Sequence, residues 1–247
     1  MKRLSVFMYG VFSYLAFFVT FLYLIAFIGN LVVPKTIDSG LTIGIPQRAI
    51  IDLGLLSLFA IQHTLMARPG FKRWWTTLVP EPIERSTYVL ATSISLALLC
   101  WQWRPMKELI WNVDNATGKA ILFAFFFFGW GLALLSSFVI NHFDLFGLRQ
   151  VWFYLRNQKY SSVEFQMKSL YKYIRHPLVL GIIVGSWVTP RMTMGHLLLA
   201  VTFTAYILVG IQFEEHDLVH FFGENYTNYR RRVPMLIPFT KKRKSLD

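Results

Sequence analysis

The chain is poor in the residues that soluble catalytic machinery uses most often. It has a single cysteine, Cys100, so a disulfide framework and a CxxC redox or zinc motif are both excluded. Cys100 falls inside an apolar run, and we expect it to pack there. There is no GxGxxG and no GxxxxGK[ST], which removes the Rossmann and P-loop ways of holding a nucleotide. HExxH is also missing. Acidic residues are scarce, with 13 Asp and Glu against 25 Lys and Arg. No internal repeat and no low-complexity linker divides the 247 residues.

What is abundant is apolar bulk. Hydrophobic residues make up 55% of the chain, with 23 Phe, 11 Tyr and 8 Trp, and the mean hydropathy is +0.45. Several apolar runs approach the roughly 18–20 residues needed to cross a bilayer. The longest, Leu4 to Val33, exceeds the h-region of about 7–15 residues in a cleaved signal peptide, so we read it as a retained anchor. Spans are expected at about 5–33, 49–66, 86–103 and 118–140. A helical hairpin follows: Pro177 to Thr189, a break at Pro190, then Met192 to Phe213. Its first arm rises only about 20 Å, short of a hydrocarbon core of about 30 Å.

The net charge of +12 has two readings, nucleic acid or membrane surface. The charge lies between the apolar runs, which favours the membrane. With the N-terminus in the cytoplasm, Lys2 and Arg3, four residues of the 67–85 loop, six of 141–176 and seven beyond residue 213 face inward. These are 19 of the 25 Lys and Arg, as the positive-inside rule requires. The expected fold is an all-α integral membrane protein, a bundle of five to six transmembrane helices with a C-terminal helical hairpin and an interfacial tail helix. Residues 1–140 would hold the first four spans. Residues 141–247 would hold a cofactor-binding loop, the hairpin and the tail, all as one integrated domain. The expected location is a bacterial inner membrane, multi-pass, with both termini cytoplasmic. The basic tail, ending in Lys241–Lys244, suits an anionic leaflet. Oligomeric state is not legible, and no nucleic-acid partner is expected.

The hairpin concentrates chemistry. Arg175 and His176 stand at its entrance, immediately before Pro177, which suits the first position of a helix. Glu214, Glu215, His216 and Asp217 stand at its exit. An antiparallel hairpin sets entrance beside exit, with cations on one side and carboxylates on the other. Interfacial snorkelling and ordinary salt bridging are the plain alternative. A zwitterionic ligand with an aromatic part would fit, and S-adenosylmethionine has carboxylate, cation and ring, with Tyr171 and Tyr173 available for the ring.

Other polar residues lie within or beside the spans. Gln62 and His63 are intramembrane, and Arg68 follows them. An ionisable group at that depth is a functional candidate by default, with a satisfied packing histidine as the alternative. Glu84, Arg85 and Tyr88 open the third span, where capping and ion pairing also account for them. Asn141, His142 and Asp144 end the fourth, as helix cap or site lining. His216 and His220 share a helix face but lack a third ligand, so no metal is expected. His196 reads as structural.

The segment "LYKYIRHPLVLGI" followed by "EEHDLVHFFGENYTNYRRRVPMLIPF" resembles the C-terminal signature of integral-membrane methyltransferases: the isoprenylcysteine carboxyl methyltransferases, phospholipid methyltransferases and NnrU-like proteins. "FAIQHTLMARPGFKRWW", "PIERSTYVL" and "NHFDLFGLRQVW" are similar to the NnrU-like methanethiol S-methyltransferases, which make dimethyl sulfide. The resemblance implies an S-adenosylmethionine site at Tyr171, His176, Pro177, Leu180, Gly181 and Glu214, and the hairpin's charges add Arg175 and Glu215 to the expected cofactor residues. The isoprenylcysteine enzymes use an arginine four residues before the matching glutamate to hold the substrate carboxylate. Here that position is Gly210, which agrees with a small thiol lacking a carboxylate. Gln62, His63, Arg85 and His142 are the expected substrate residues, and His63, Tyr88 and Glu214 the expected catalytic ones. Either His63 or Tyr88 is a candidate to take the thiol proton. Two other readings stay open: a lipid or isoprenoid-thiol acceptor on the same fold, and a non-enzymatic haem or carrier protein using His63, His142 and His196.

Overall fold

Proline placement marks where several helices begin. Pro46, Pro82 and Pro177 occupy the first or second helical position, where a missing N–H costs nothing. In the computed structural model, which describes residues 2–41, 44–161, 168–238 and 240, ten α-helices form in chain order. They are α1 (Lys2–Ile28), α2 (Ile45–Ala67), α3 (Pro69–Trp75), α4 (Glu81–Gln102), α5 (Ala116–Ile140), α6 (His142–Leu145), α7 (Leu148–Leu155), α8 (Pro177–Trp187), α9 (Met194–Phe222) and α10 (Glu224–Arg232). Of these, α1, α2, α5 and α9 are long and apolar enough to cross a membrane, by length and composition. α4 matches them in length, with 22 residues, but carries Glu81, Glu84 and Arg85 in its first turns. α8 is apolar and short. The chain is an all-α integral membrane protein. The Lys241–Lys244 run lies outside the described residues.

Some boundaries differ from those expected. α1 stops at Ile28 instead of running to Val33, because Gly29 and Asn30 turn the chain. Asn30 adopts φ 51°, and its amide donates to Asp38 Oδ2 at 2.8 Å, a local bond that suits asparagine to this left-handed position. α9 runs nine residues past Phe213 and ends only at Gly223, which has φ 59°. Glu214 and Glu215 therefore sit within a helix rather than at its exit. Two short strands were not anticipated: β1 (Leu109–Asn112) pairs antiparallel with β2 (Arg191–Thr193).

The chain divides into two compact units, Met1–Asp114 with His142–Ser162 and Pro190–Leu199, and Asn115–Asn141 with Val163–Thr189 and Ala200–Asp247. In the first, α4 packs between α1 and α2, and α7 lies against α1. Leu24, Phe27, Leu56, Leu99 and Trp103 are buried there.

In the second unit, the main backbone contact joins α5 to α8. Small residues four apart on each helix make it possible: Gly129 and Ala133 on α5, Gly181 and Gly185 on α8. A Cβ on Gly181 would lie 2.5 Å from both Ala133 N and Gly129 O, and one on Gly185 would lie 2.6 Å from the Trp130 indole nitrogen. This is the small-xxx-small packing by which membrane helices approach closely. α8 meets α9 mainly through side chains. Trp187 donates to Thr204 Oγ1 at 2.8 Å near one end, and His176 reaches Glu214 and Glu215 at the other. Trp187 follows His176 by eleven residues and Glu215 follows Thr204 by eleven, so the two arms run antiparallel in matched register.

Candidate active site

Within the second unit, the "RHP" turn sets its charges before α8 begins. Pro177 starts the helix and His176 is its N-cap residue, with φ −126° and ψ 59°. The turn buries Arg175 to 8% exposure and His176 to 7%. Buried charges need partners, and Glu215, 5% exposed, supplies them. Its Oε1 lies 2.6 Å from Arg175 Nε and 3.0 Å from His176 Nε2. Arg175 Nη1 also donates to the carbonyls of Arg230 at 3.0 Å and Val233 at 2.5 Å. The guanidinium is thus engaged inside the protein on two sides.

Glu214, next in line on α9, is different. Its side chain is half exposed, and its Oε2 lies 3.6 Å from His176 Nδ1. Consecutive helical residues point about 100° apart, so one glutamate is committed to the interior and the other faces outward beside the same imidazole.

Tyr171 borders this pair. Its phenol donates to Ser136 O at 3.4 Å. Burial pushes its pKa up, and the Glu214 carboxylate adds to the shift, so the side chain is a neutral phenol. Burial likewise raises Tyr226 and Tyr229. Leu180 closes the first turn of α8 on His176 O at 3.1 Å. Gly181 is buried in the seam with α5.

The first unit gathers a second polar group between α2 and α4. Tyr88 and His63 share a hydrogen bond of 2.8 Å between the phenol and Nε2. Arg85 lies 4.9 Å over the Tyr88 ring and donates from Nε to Leu145 O at 2.7 Å. Gln62 accepts from Ser95 Oγ at 3.1 Å and directs its amide nitrogen at Met66 Sδ, 3.2 Å away, and Thr92 Oγ1, 3.4 Å away. Four of the expected residues, Gln62, His63, Arg85 and Tyr88, are therefore neighbours on these two helices. His142 pairs elsewhere: its Nε2 and the Tyr14 hydroxyl are 2.9 Å apart. Burial lowers the His142 pKa, favouring neutral imidazole.

His63, His142 and His196 are engaged separately. The backbone N–H of His196 donates to Thr193 Oγ1 at 3.3 Å. Among the described residues no group of three His, Cys, Asp or Glu is placed to hold a metal ion. His216 and His220 do stack along one helix face, with ring centroids 6.3 Å apart.

Sequence reasoning did not single out Ser95, Thr92, Tyr14 or Tyr229. Only Tyr229 left a signal, as the second tyrosine of the FGENYTNY stretch in the segment that carries the resemblance.

The fold and this cluster define a polytopic helical membrane protein whose RHP turn buries a histidine against a glutamate pair. The comparisons narrow that class. The chain is 50% identical over 243 residues to methanethiol S-methyltransferase of Crocosphaera subtropica, covering 98% of this chain and 95% of that one. It is 52% identical over 239 residues to methanethiol S-methyltransferase of Mycobacterium tuberculosis, covering 97% and 98%. Nurim of Bos taurus is 30% identical over 175 residues, 68% of this chain and 66% of its own. The chain belongs to the methanethiol S-methyltransferase family. No protein-family profile and no solved structure matches it.

Proposed function

We propose that this chain methylates methanethiol to dimethyl sulfide, with S-adenosylmethionine as donor, at the cytoplasmic face of a bacterial inner membrane with both termini inside. The identity of about one half to methanethiol S-methyltransferases over nearly the whole chain carries the reading. The charge distribution supports the orientation.

The second unit offers groups that fit a sulfonium nucleoside bearing an amino acid. Glu214 presents a half-exposed carboxylate beside a buried imidazole, suited to the donor's positive charges. Tyr171 is a half-buried neutral aromatic next to it. Arg175 and Glu215 hold His176 from within. When bound, S-adenosylmethionine supplies an electrophilic methyl carbon, which a thiolate takes up in line as the sulfonium–methyl bond breaks.

Anion and cation neutralise each other in that reaction, so a site of low dielectric does not oppose it as water would. Much of the rate comes from alignment. An alkyl thiol has a pKa above the cysteine value of about 8.5, so it must lose a proton. We assign that proton to His63 or Tyr88, which share a hydrogen bond of 2.8 Å, with Arg85 4.9 Å over the Tyr88 ring.

The test is direct. Purified full-length protein given methanethiol and S-adenosylmethionine should release dimethyl sulfide, read by headspace gas chromatography. Release no greater than from heat-killed protein would overturn the proposal. Labelled methyl recovered in extracted lipid instead would point to a lipid acceptor.

A further inference from the structure

The segment after α9 is tied back onto the loop that leads into α8. Tyr229, 4% exposed, donates its hydroxyl to Tyr171 O at 2.7 Å. The backbone N–H of Arg175 donates to Pro234 O at 2.9 Å, and that of His176 to Met235 O at 3.2 Å. Arg175 Nη1 adds the bonds to Arg230 O and Val233 O. Tyr226, Tyr229 and Val233 form an apolar cluster with Leu218, Val219 and Phe222, which lie on the last turns of the helix carrying Glu214 and Glu215. An interfacial tail helix needs only an apolar face and surface charge to lie on a membrane. These bonds do something else: they join the last residues of the fold to both halves of the donor site.

We infer that residues 226–235 are a positioning strap for the donor site, with Tyr229 as its positioning residue. The strap fixes the backbone of 171–176 against α9, and so sets the spacing between His176 and Glu214. The inference rests on the donor-site reading given above.

The experiment compares wild type with Tyr229→Phe, which removes one hydroxyl and keeps the buried ring, using Asn225→Ala, exposed on α10 and outside the strap, as control. Measured are the KM for S-adenosylmethionine, the KM for methanethiol, kcat and thermal midpoint. Loss of a buried hydrogen bond to a positioned carbonyl should raise the donor KM about tenfold, leaving the methanethiol KM as in the control. Equal donor KM in wild type and Tyr229→Phe, or an equal rise in both KM values, overturns the strap while leaving the activity standing. An inactive wild type sinks the activity reading and this inference with it.

A second measurement needs no variant. In wild type, S-adenosylhomocysteine should slow amide hydrogen exchange in peptides 168–176 and 224–235 together. Slowing of the first alone counts against the strap.

Discussion

Glu215 Oε1 lies 2.6 Å from Arg175 Nε and 3.0 Å from His176 Nε2, with all three side chains almost wholly buried. Its neighbour Glu214 touches the other nitrogen of the same imidazole from a half-exposed position. One glutamate holds the turn together and the other is left for a ligand, so the two should fail in different ways when replaced.

Glu215→Gln leaves Arg175 buried without its carboxylate. Stranding one partner of a buried ion pair costs about 3–5 kcal/mol. We expect a large fall in thermal midpoint in detergent, with activity lost alongside it. Glu214→Gln should leave the midpoint close to wild type and abolish methyl transfer. A large stability loss in Glu214→Gln, or none in Glu215→Gln, would reverse the two roles.

Two glycines divide in the same manner. Gly181→Ala drives a methyl group into the backbone of α5 at Ala133 and Gly129, and overpacking of this kind costs about 1–3 kcal/mol. Gly210 has nothing within 4 Å of its would-be Cβ, so Gly210→Ala should be at least as stable as wild type, helped by alanine's helix propensity. Thermal unfolding of the two variants side by side checks this.

The proposed proton acceptor predicts a pH signature. General-base groups contribute about 10²–10⁴-fold, so His63→Ala should lower kcat by about a hundredfold near neutral pH, and Tyr88→Phe by less. The deficit should shrink as the pH rises toward the thiol's own pKa, because the substrate then deprotonates without help. A deficit independent of pH would show that His63 acts by packing.

Tyr160 gives a stability prediction of known sign. Partial burial, with a hydrogen bond of 2.9 Å to Asp144, pushes the phenol of this part-exposed residue up to about 12. An unfolded tyrosine ionises near 10. Above that pH the unfolded chain gives up a proton that the folded chain keeps, so stability falls with pH. The contribution is complete below about pH 10 and disappears as the pH passes 12. Tyr160→Phe should therefore flatten the loss of thermal midpoint between pH 10 and 12. An unchanged slope would place the ionisation elsewhere.

Much of the fold is legible along the chain because the bilayer imposes simple rules. The apolar runs place α1, α2, α5 and α9 through length alone, and Pro177 marks the start of α8 through its missing N–H. The helix ends were harder. α1 stops at Ile28 because Gly29 and Asn30 turn the chain, the Asn30 amide finding Asp38, and α9 continues past its last apolar stretch because nothing breaks a helix before Gly223. The antiparallel hairpin brought residues 176 and 214 together on paper, and their atoms lie 3.6 Å apart.

The order of residues along this chain settles that it enters a membrane, where its charges gather, and which histidine stands next to a helix start. Period, hydropathy and proline chemistry are local, and a linear string displays them. Folding alone decided that Glu215 rather than Glu214 is the buried partner, that Gly181 serves the seam with α5, and that Tyr229 reaches back to Tyr171. Each of these depends on which side chains surround a helix face, and that is known only once distant segments have packed.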